Sequence, residues 1–367
     1  MSAHGWRAAA AGLALLTAAG AATREQNPAP APDPPRFTLE PIADGVYAAI
    51  RTEPAGLIFD ANSVFIINDD DVCVVDTNVT PSSARASLAA LRSLTTKPVS
   101  FVINTHWHDD HIAGNQVYRE AFPGVQFIGQ ATTKDDLPTL GEANRRQFLE
   151  LGPRMVQQLR MSVEQEKSMS GGPLTDEERV SYESDAAAVE RFLAEIPGVQ
   201  FVPPTMYVTD RLTLTRGHRT IDIRYLGRAH TAADLVVYLP VERVAIVGDL
   251  VASPIPLVGS TSHPLEFGAT LDRLLALDPA IIVPGHGPVM HDTTFVRREI
   301  QLVTSITQQV GAAVARGETL DETRKHVNLD PMRALFAGSS ALRNYVFTNY
   351  VVTPGVAAAY RDATARR

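Results

Sequence analysis

Three of the ten histidines in this 367-residue chain fall within six positions, in Asn104-Thr105-His106-Trp107-His108-Asp109-Asp110-His111. Imidazole and carboxylate interleaved at this spacing suit a borderline divalent metal, zinc first, with iron or manganese possible. His106 and His108, two apart in extended backbone, can turn the same way towards one ion. Asp110 and His111 lie one turn further on and can serve a second. A single zinc would use three such residues and a distant fourth, so four adjacent ligand-type residues suggest two ions.

The cluster follows the apolar run Val99 to Ile103, which places it at the carboxyl end of a strand, where open α/β sheets locate their sites. Further downstream stand Gly227-Arg228-Ala229-His230-Thr231, Ile246-Val247-Gly248-Asp249-Leu250 and Val283-Pro284-Gly285-His286-Gly287. Each lies at or just after another apolar run.

His-x-His-x-Asp-His after a strand, followed in this order by the three later motifs, resembles the metallo-β-lactamase-fold hydrolase superfamily, over roughly Phe37 to Asp292. The resemblance implies a four-layer αββα sandwich and two zinc ions. It gives the first metal to His106, His108 and His230, the second to Asp110, His111 and His286, and makes Asp249 the bridge. Two divalent ions contribute +4 and two carboxylates return −2, leaving charge to stabilise a bridging hydroxide, the expected nucleophile. Asp110 is the expected catalytic carboxylate, orienting that hydroxide and shuttling a proton to the leaving group.

Asp76 resembles the family's early Asp that hydrogen-bonds a metal-ligand His; the alternative is a turn or capping role before Thr77-Asn78. Thr231 and Asp234 either support His230 or merely start the next strand. His263, in the loop between Asp249 and His286, is a candidate substrate contact. Arg228 could meet an anionic substrate, although a surface ion pair is the expectation. His4, His218, His291 and His326 are expected to be exposed or structural.

An Asp at the bridging position resembles hydroxyacylglutathione hydrolases, lactonases and other dinuclear hydrolases, whereas many true zinc β-lactamases carry Cys or Ser there. The expected activity is cleavage of an ester, thioester, lactone or amide bond in a small substrate. A true β-lactamase is one alternative. A non-haem iron oxidoreductase on the same fold is another, weakened by the full ligand set and by the absence of a flavodoxin-like segment.

The rest of the chain must position these groups. With 45% apolar residues and a net charge of −8, it can bury a sizeable core, and its acidic balance and lack of a basic segment argue against nucleic acid as partner. Residues 1–22, apolar from Ala8 to Ala22 with Ala19-Gly20-Ala21 at the end, read as an export signal too short to span a bilayer. Periplasmic or secreted bacterial placement is therefore expected, with no stable membrane insertion after cleavage. Residues 23–36 read as a Pro-rich spacer, and the resemblance makes residues 37–292 the metallo-β-lactamase-fold domain. Cys73, alone in the chain, excludes an intrachain disulfide and is expected in the core.

Val72 to Val75, the helix-patterned Ser82 to Leu94 and Val99 to Ile103 read as strand, helix, strand, which predicts a mostly parallel, buried sheet edge with helices outside. Residues 131–197 read as a helical insertion. One helix is expected from Glu142 towards Glu166 with a break at Pro153, and a second is opened by a capping box at Thr175-Asp176-Glu177-Glu178. Residues 293–367 read as a helical C-terminal extension, beginning with an apolar stripe from Val296 to Val314 that Gly317 ends. Insertion and extension are expected to shape either a deep pocket or a dimer interface, the insertion as a lid or as an external pack-on.

Overall fold

The computed structural model describes residues 36–365, apart from residues 55, 58 and 59. The export segment and all but the last residue of the Pro-rich spacer lie outside the described residues. Runs of Val, Ile and Phe form β1 (Phe37–Ala43), β2 (Val46–Arg51), β3 (Ser63–Ile67) and β4 (Val72–Val75). Then follow α1 (Pro81–Leu94), β5 (Val99–Ile103), α2 (Asp109–Ile112), α3 (Asn115–Ala121), β6 (Gln126–Gln130) and α4 (Thr133–Asp136). A π-helical turn leads into the long pair α5 (Glu142–Glu164) and α6 (Asp176–Glu195). The chain returns to sheet through β7 (Met206–Val208), β8 (Arg211–Arg216), β9 (Arg219–Tyr225), β10 (Leu235–Leu239) and β11 (Val244–Ala252). Helix α7 (Pro264–Leu275) and β12 (Ile281–His286) complete it. The C-terminal extension is helical, as α8 (Thr294–Ala315), α9 (Leu320–His326), α10 (Asp330–Ala337), α11 (Ala341–Phe347) and α12 (Thr353–Ala365).

A seven-stranded sheet in the order β1 to β7 faces a five-stranded sheet in the order β12-β11-β10-β9-β8. Apolar side chains of both, among them Val64, Ile103, Val237 and Val283, meet in one core. Leu88 and Leu91 of α1 and Val117 of α3 cover the outer face of the first sheet. Phe267 and Leu271 of α7, with Leu302 and Ile306 of α8, cover the second. The result is the αββα sandwich that the motifs imply.

One expectation holds for one side of a sheet, and one needs correction. The first sheet is mixed: β4 to β7 pair in parallel, but β1 to β4 pair antiparallel. Short connections such as Asp44-Gly45, with Gly45 at φ 66°, permit only hairpins, whereas α1 supplies a crossover long enough for a parallel return. Helix α5 also runs through Pro153 without ending. Proline removes one donor and crowds the preceding turn, but α5 packs along α6. There a Cβ on Gly152 would come within 3.0 Å of Leu193. The capping box at Thr175 and Glu178 forms as read.

Candidate metal centre

Strand β5 ends at Ile103 and releases Asn104 to His108 into a loop that α2 closes, so His106 leaves a bend and His108 extended backbone, while Asp110 and His111 ride the first turn of a helix. His230 follows β9, Asp249 lies within β11, and His286 is the last residue of β12. All three therefore come from the second sheet.

Two groups of ligand atoms result, each within 4.8 Å: His106, His108, His230 and Asp249 form one, and Asp110, His111, Asp249 and His286 form the other. Asp249 belongs to both and turns a different oxygen to each. Its Oδ2 lies 3.4 Å from His230 Nε2 and 3.8 Å from His106 Nε2. Its Oδ1 lies 3.3 Å from His111 Nε2 and 3.2 Å from His286 Nε2. Asp110 Oδ2 completes the second group at 3.2 Å from His286 and 3.3 Å from His111. His108 turns its Nδ1 inward, 3.1 Å from His230 Nε2.

Three of the five imidazoles are held from behind. His111 Nδ1 meets Asp76 Oδ2 at 2.8 Å, so the alternative turn role for Asp76 is incomplete: its carboxylate also accepts from the Thr105 N–H and hydroxyl, both at 2.8 Å. His230 Nδ1 meets the carbonyl of Leu257 at 3.0 Å, and His286 Nδ1 that of Asp60 at 3.1 Å. An Nδ1–H donating to oxygen leaves the Nε2 lone pair directed into the cluster, the state that ligates metal. Gly248 has φ 51°, and a Cβ there would lie 2.4 Å from the Thr105 hydroxyl, so only glycine lets β11 approach the ligand loop this closely.

Without a cation the cluster is electrostatically costly. Burial, then the His230 charge, holds His108 down to about 3, and burial with the neighbouring imidazoles His111 and His108 likewise depresses His106. Burial also opposes a charge on His286, yet Asp249 and Asp110 raise it to about 9. Buried Nε2 atoms of His106 and His111, and Asp249 Oδ1, have no hydrogen-bond partner among the described residues. Leaving such atoms unpaired is expensive, and a set of five imidazoles and two carboxylates in two adjoining groups fits a pair of divalent cations.

The seven expected ligands and Asp76 are thus brought together, and His263 is not. Its backbone N–H bonds Ala229, its ring lies 3.9 Å from Asp362 of α12, and it does not line the cavity over the ligands. Arg228 pairs with Glu266 on the surface, as expected. Thr231 and Asp234 bond each other; the group that orients His230 is the Leu257 carbonyl.

Asn62 is unforeseen. Its amide donates to the carbonyls of Pro284 and Gly287 at 3.0 and 2.9 Å, and its backbone N–H to Gly285 at 2.8 Å, clasping the turn that presents His286. Tyr350, from the extension, also lines the cavity, its hydroxyl bonded to the Leu57 carbonyl.

Residues 57–286 match the family model described as the metallo-beta-lactamase superfamily. The chain is 26% identical over 294 residues to a linear primary-alkylsulfatase of Pseudomonas sp. (strain ATCC 19151), covering 76% of this chain and 52% of the relative. It is 36% identical over 80 residues to a hydroxyacylglutathione hydrolase of Gloeobacter violaceus, covering 21% and 30%. The chain thus spans about half or less of these relatives' length. A metallo-beta-lactamase structure from Pontibacter korlensis aligns at 16% identity and TM-score 0.48, covering 73% of this chain and 99% of that one. With more than half its length matched by the family model, the chain belongs to the metallo-beta-lactamase superfamily.

Proposed function

We propose that this chain is an exported, dinuclear zinc hydrolase that cleaves an ester, thioester, lactone or amide bond of a small substrate. The observation that carries the reading is Asp249, whose two oxygens serve separate ligand groups. A carboxylate in that position suits a bridge between two cations. Donor chemistry favours zinc, and the same set accepts iron or manganese. Two bound cations would bring the pKa of water towards neutrality and polarise the scissile bond.

The chain supplies everything else. His106, His108 and His230 would hold one cation, and Asp110, His111 and His286 the other. Asp110 is the more open carboxylate, its side chain 21% exposed against 3% for Asp249. Placed at the cavity, it is suited to hold a proton at a carboxylate oxygen and pass it to a leaving group. Asp76, and the carbonyls of Asp60 and Leu257, keep three imidazoles in the ligating tautomer.

Support for hydrolysis also comes from the relatives, whose names describe cleavage of alkyl sulfates and of hydroxyacylglutathione. Export rests on the apolar run Ala8 to Ala22 and its small-residue end. Among the described residues no helix is long and apolar enough to cross a membrane.

A substrate panel tests the reading. Zinc-loaded protein is assayed against β-lactams, lactones, thioesters, carboxylic esters and alkyl sulfates. Turnover of one class, abolished by a chelator and restored by zinc, is expected. Inertness towards every class, with iron bound after purification, would transfer the chain to redox chemistry.

A further inference from the structure

We propose that the cavity above the ligands binds an uncharged hydrocarbon part of the substrate, and that α5 and α6 set how long that part can be. The inference rests on the hydrolase reading above and adds the substrate class to it. A cavity of about 370 Å³ opens over His108, Asp110, His230 and Asp249. Facing these polar groups are Phe148 of α5, Ala188 and Phe192 of α6, and Val79, Trp107 and Leu257 of the sandwich. Phe148 and Phe192 meet edge to face, ring centres 4.9 Å apart, and form a rigid aromatic wall.

The cations around this cavity are already engaged. Arg51 is paired with Glu53 and Asp60. Arg145 donates twice to Asp109, at 2.9 and 3.1 Å, and lies 3.2 Å over the ring of Phe201. Arg191 also has its partner. With their charge already balanced by neighbours, these groups offer little to a negative charge on the distal part of a substrate, whereas an alkyl chain displaces water from apolar walls.

Helix α6, which meets α5 through Phe192 and Phe148, is joined to the rest of the fold at three points. Asp185 accepts from the Leu57 N–H at 3.1 Å, Glu195 from the Ser82 N–H at 2.8 Å, and Glu177 from the Ser340 hydroxyl at 2.6 Å. These three contacts join α6 to the loop after β2, to α1 and to the C-terminal extension. Cavity length is thereby set by side chains, chiefly Phe148 and Ala188, rather than by opening of a lid.

Two measurements test this. The first follows kcat/KM of zinc-loaded protein for p-nitrophenyl esters from acetate to decanoate. We expect a rise of about fourfold per methylene that enters the cavity, then a plateau. Ala188→Phe should end the rise at shorter chains, and Phe148→Ala should carry it to longer ones. The second needs no turnover: in the mature protein, from which the export segment carrying Trp6 has been removed, Trp107 is the reporter, and its emission is followed while butanol to decanol are added. Dissociation constants should fall with chain length, and Ala188→Phe should flatten the series. Rates and affinities independent of chain length, or variants indistinguishable from wild type, would overturn the proposal while leaving the hydrolase reading intact. Failure to hydrolyse every class of the substrate panel would instead count against that reading, and the alcohol titration would still decide what the cavity binds.

Discussion

Asp249 and Glu299 are both carboxylates with almost no exposed surface, 3% and 0%, and the fold treats them in opposite ways. Burial opposes ionisation of Asp249, but His286 and His111 hold it charged, well below the ordinary carboxylate range. Glu299, on α8, has no hydrogen-bond partner for either oxygen among the described residues. Burial, and then the charge of Asp249, push it well above that range. Depth alone therefore does not mark a functional carboxylate. What marks Asp249 is the convergence of ligand-type atoms from two sheets, three of the imidazoles oriented by an acceptor behind them.

The largest expected effect comes from removing the convergence itself. Asp249→Ala should lower kcat/KM by about 10³-fold or more, since the site loses the charge both groups share. Retention of wild-type turnover would dissolve the contrast with Glu299. Removing only an acceptor should do less. Asp76→Ala frees His111 to change tautomer and should cost about 10–100-fold in metal affinity or activity. A zinc titration alongside kcat/KM separates that from loss of fold. Asn62→Ala, which releases the clasp on the turn carrying His286, should fall in the same range and affect metal affinity most.

At Glu299 the sign reverses. Glu299→Leu removes two unsatisfied buried oxygens and should stabilise the fold by about 1–3 kcal/mol in urea unfolding, with activity unchanged. Its pH dependence follows from the raised folded-state pKa. Below the unfolded value near 4.3 both states are protonated and nothing is lost. As pH rises, the unfolded state ionises first, so wild type loses stability relative to Glu299→Gln until the folded pKa is passed. A gap in urea midpoints that stays constant from pH 4 to pH 8 would show that Glu299 ionises freely. Smallest of all, His263→Ala should change kcat/KM by less than about twofold, because the ring faces Asp362 outside the cavity; a larger loss would return it to the substrate path.

The candidate ligand set was legible in sequence because metal coordination restricts residue type, and His106, His108, Asp110 and His111 sit in one short stretch behind a strand of β-branched residues. The acceptors that orient them divide by chemistry. Asp76 leaves a residue-type signal, while the carbonyls of Asp60 and Leu257 are main-chain groups that any residue provides. Pro153 misled because local propensity favours a break, whereas packing of α5 on α6 decides the outcome. The apolar wall was hidden for a related reason: Phe148 and Phe192 read as ordinary helix positions until the fold turns them over the site. His263 shows the converse, a residue type suited to chemistry that the fold points elsewhere.

The central claim, that Asp249 joins two cation sites, is tested most directly by calorimetric titration of the metal-stripped protein with zinc, beside Asp249→Ala. The account predicts two zinc ions per wild-type chain and at most one tightly bound in the variant. One ion in the wild type, or two of undiminished affinity in the variant, would contradict it.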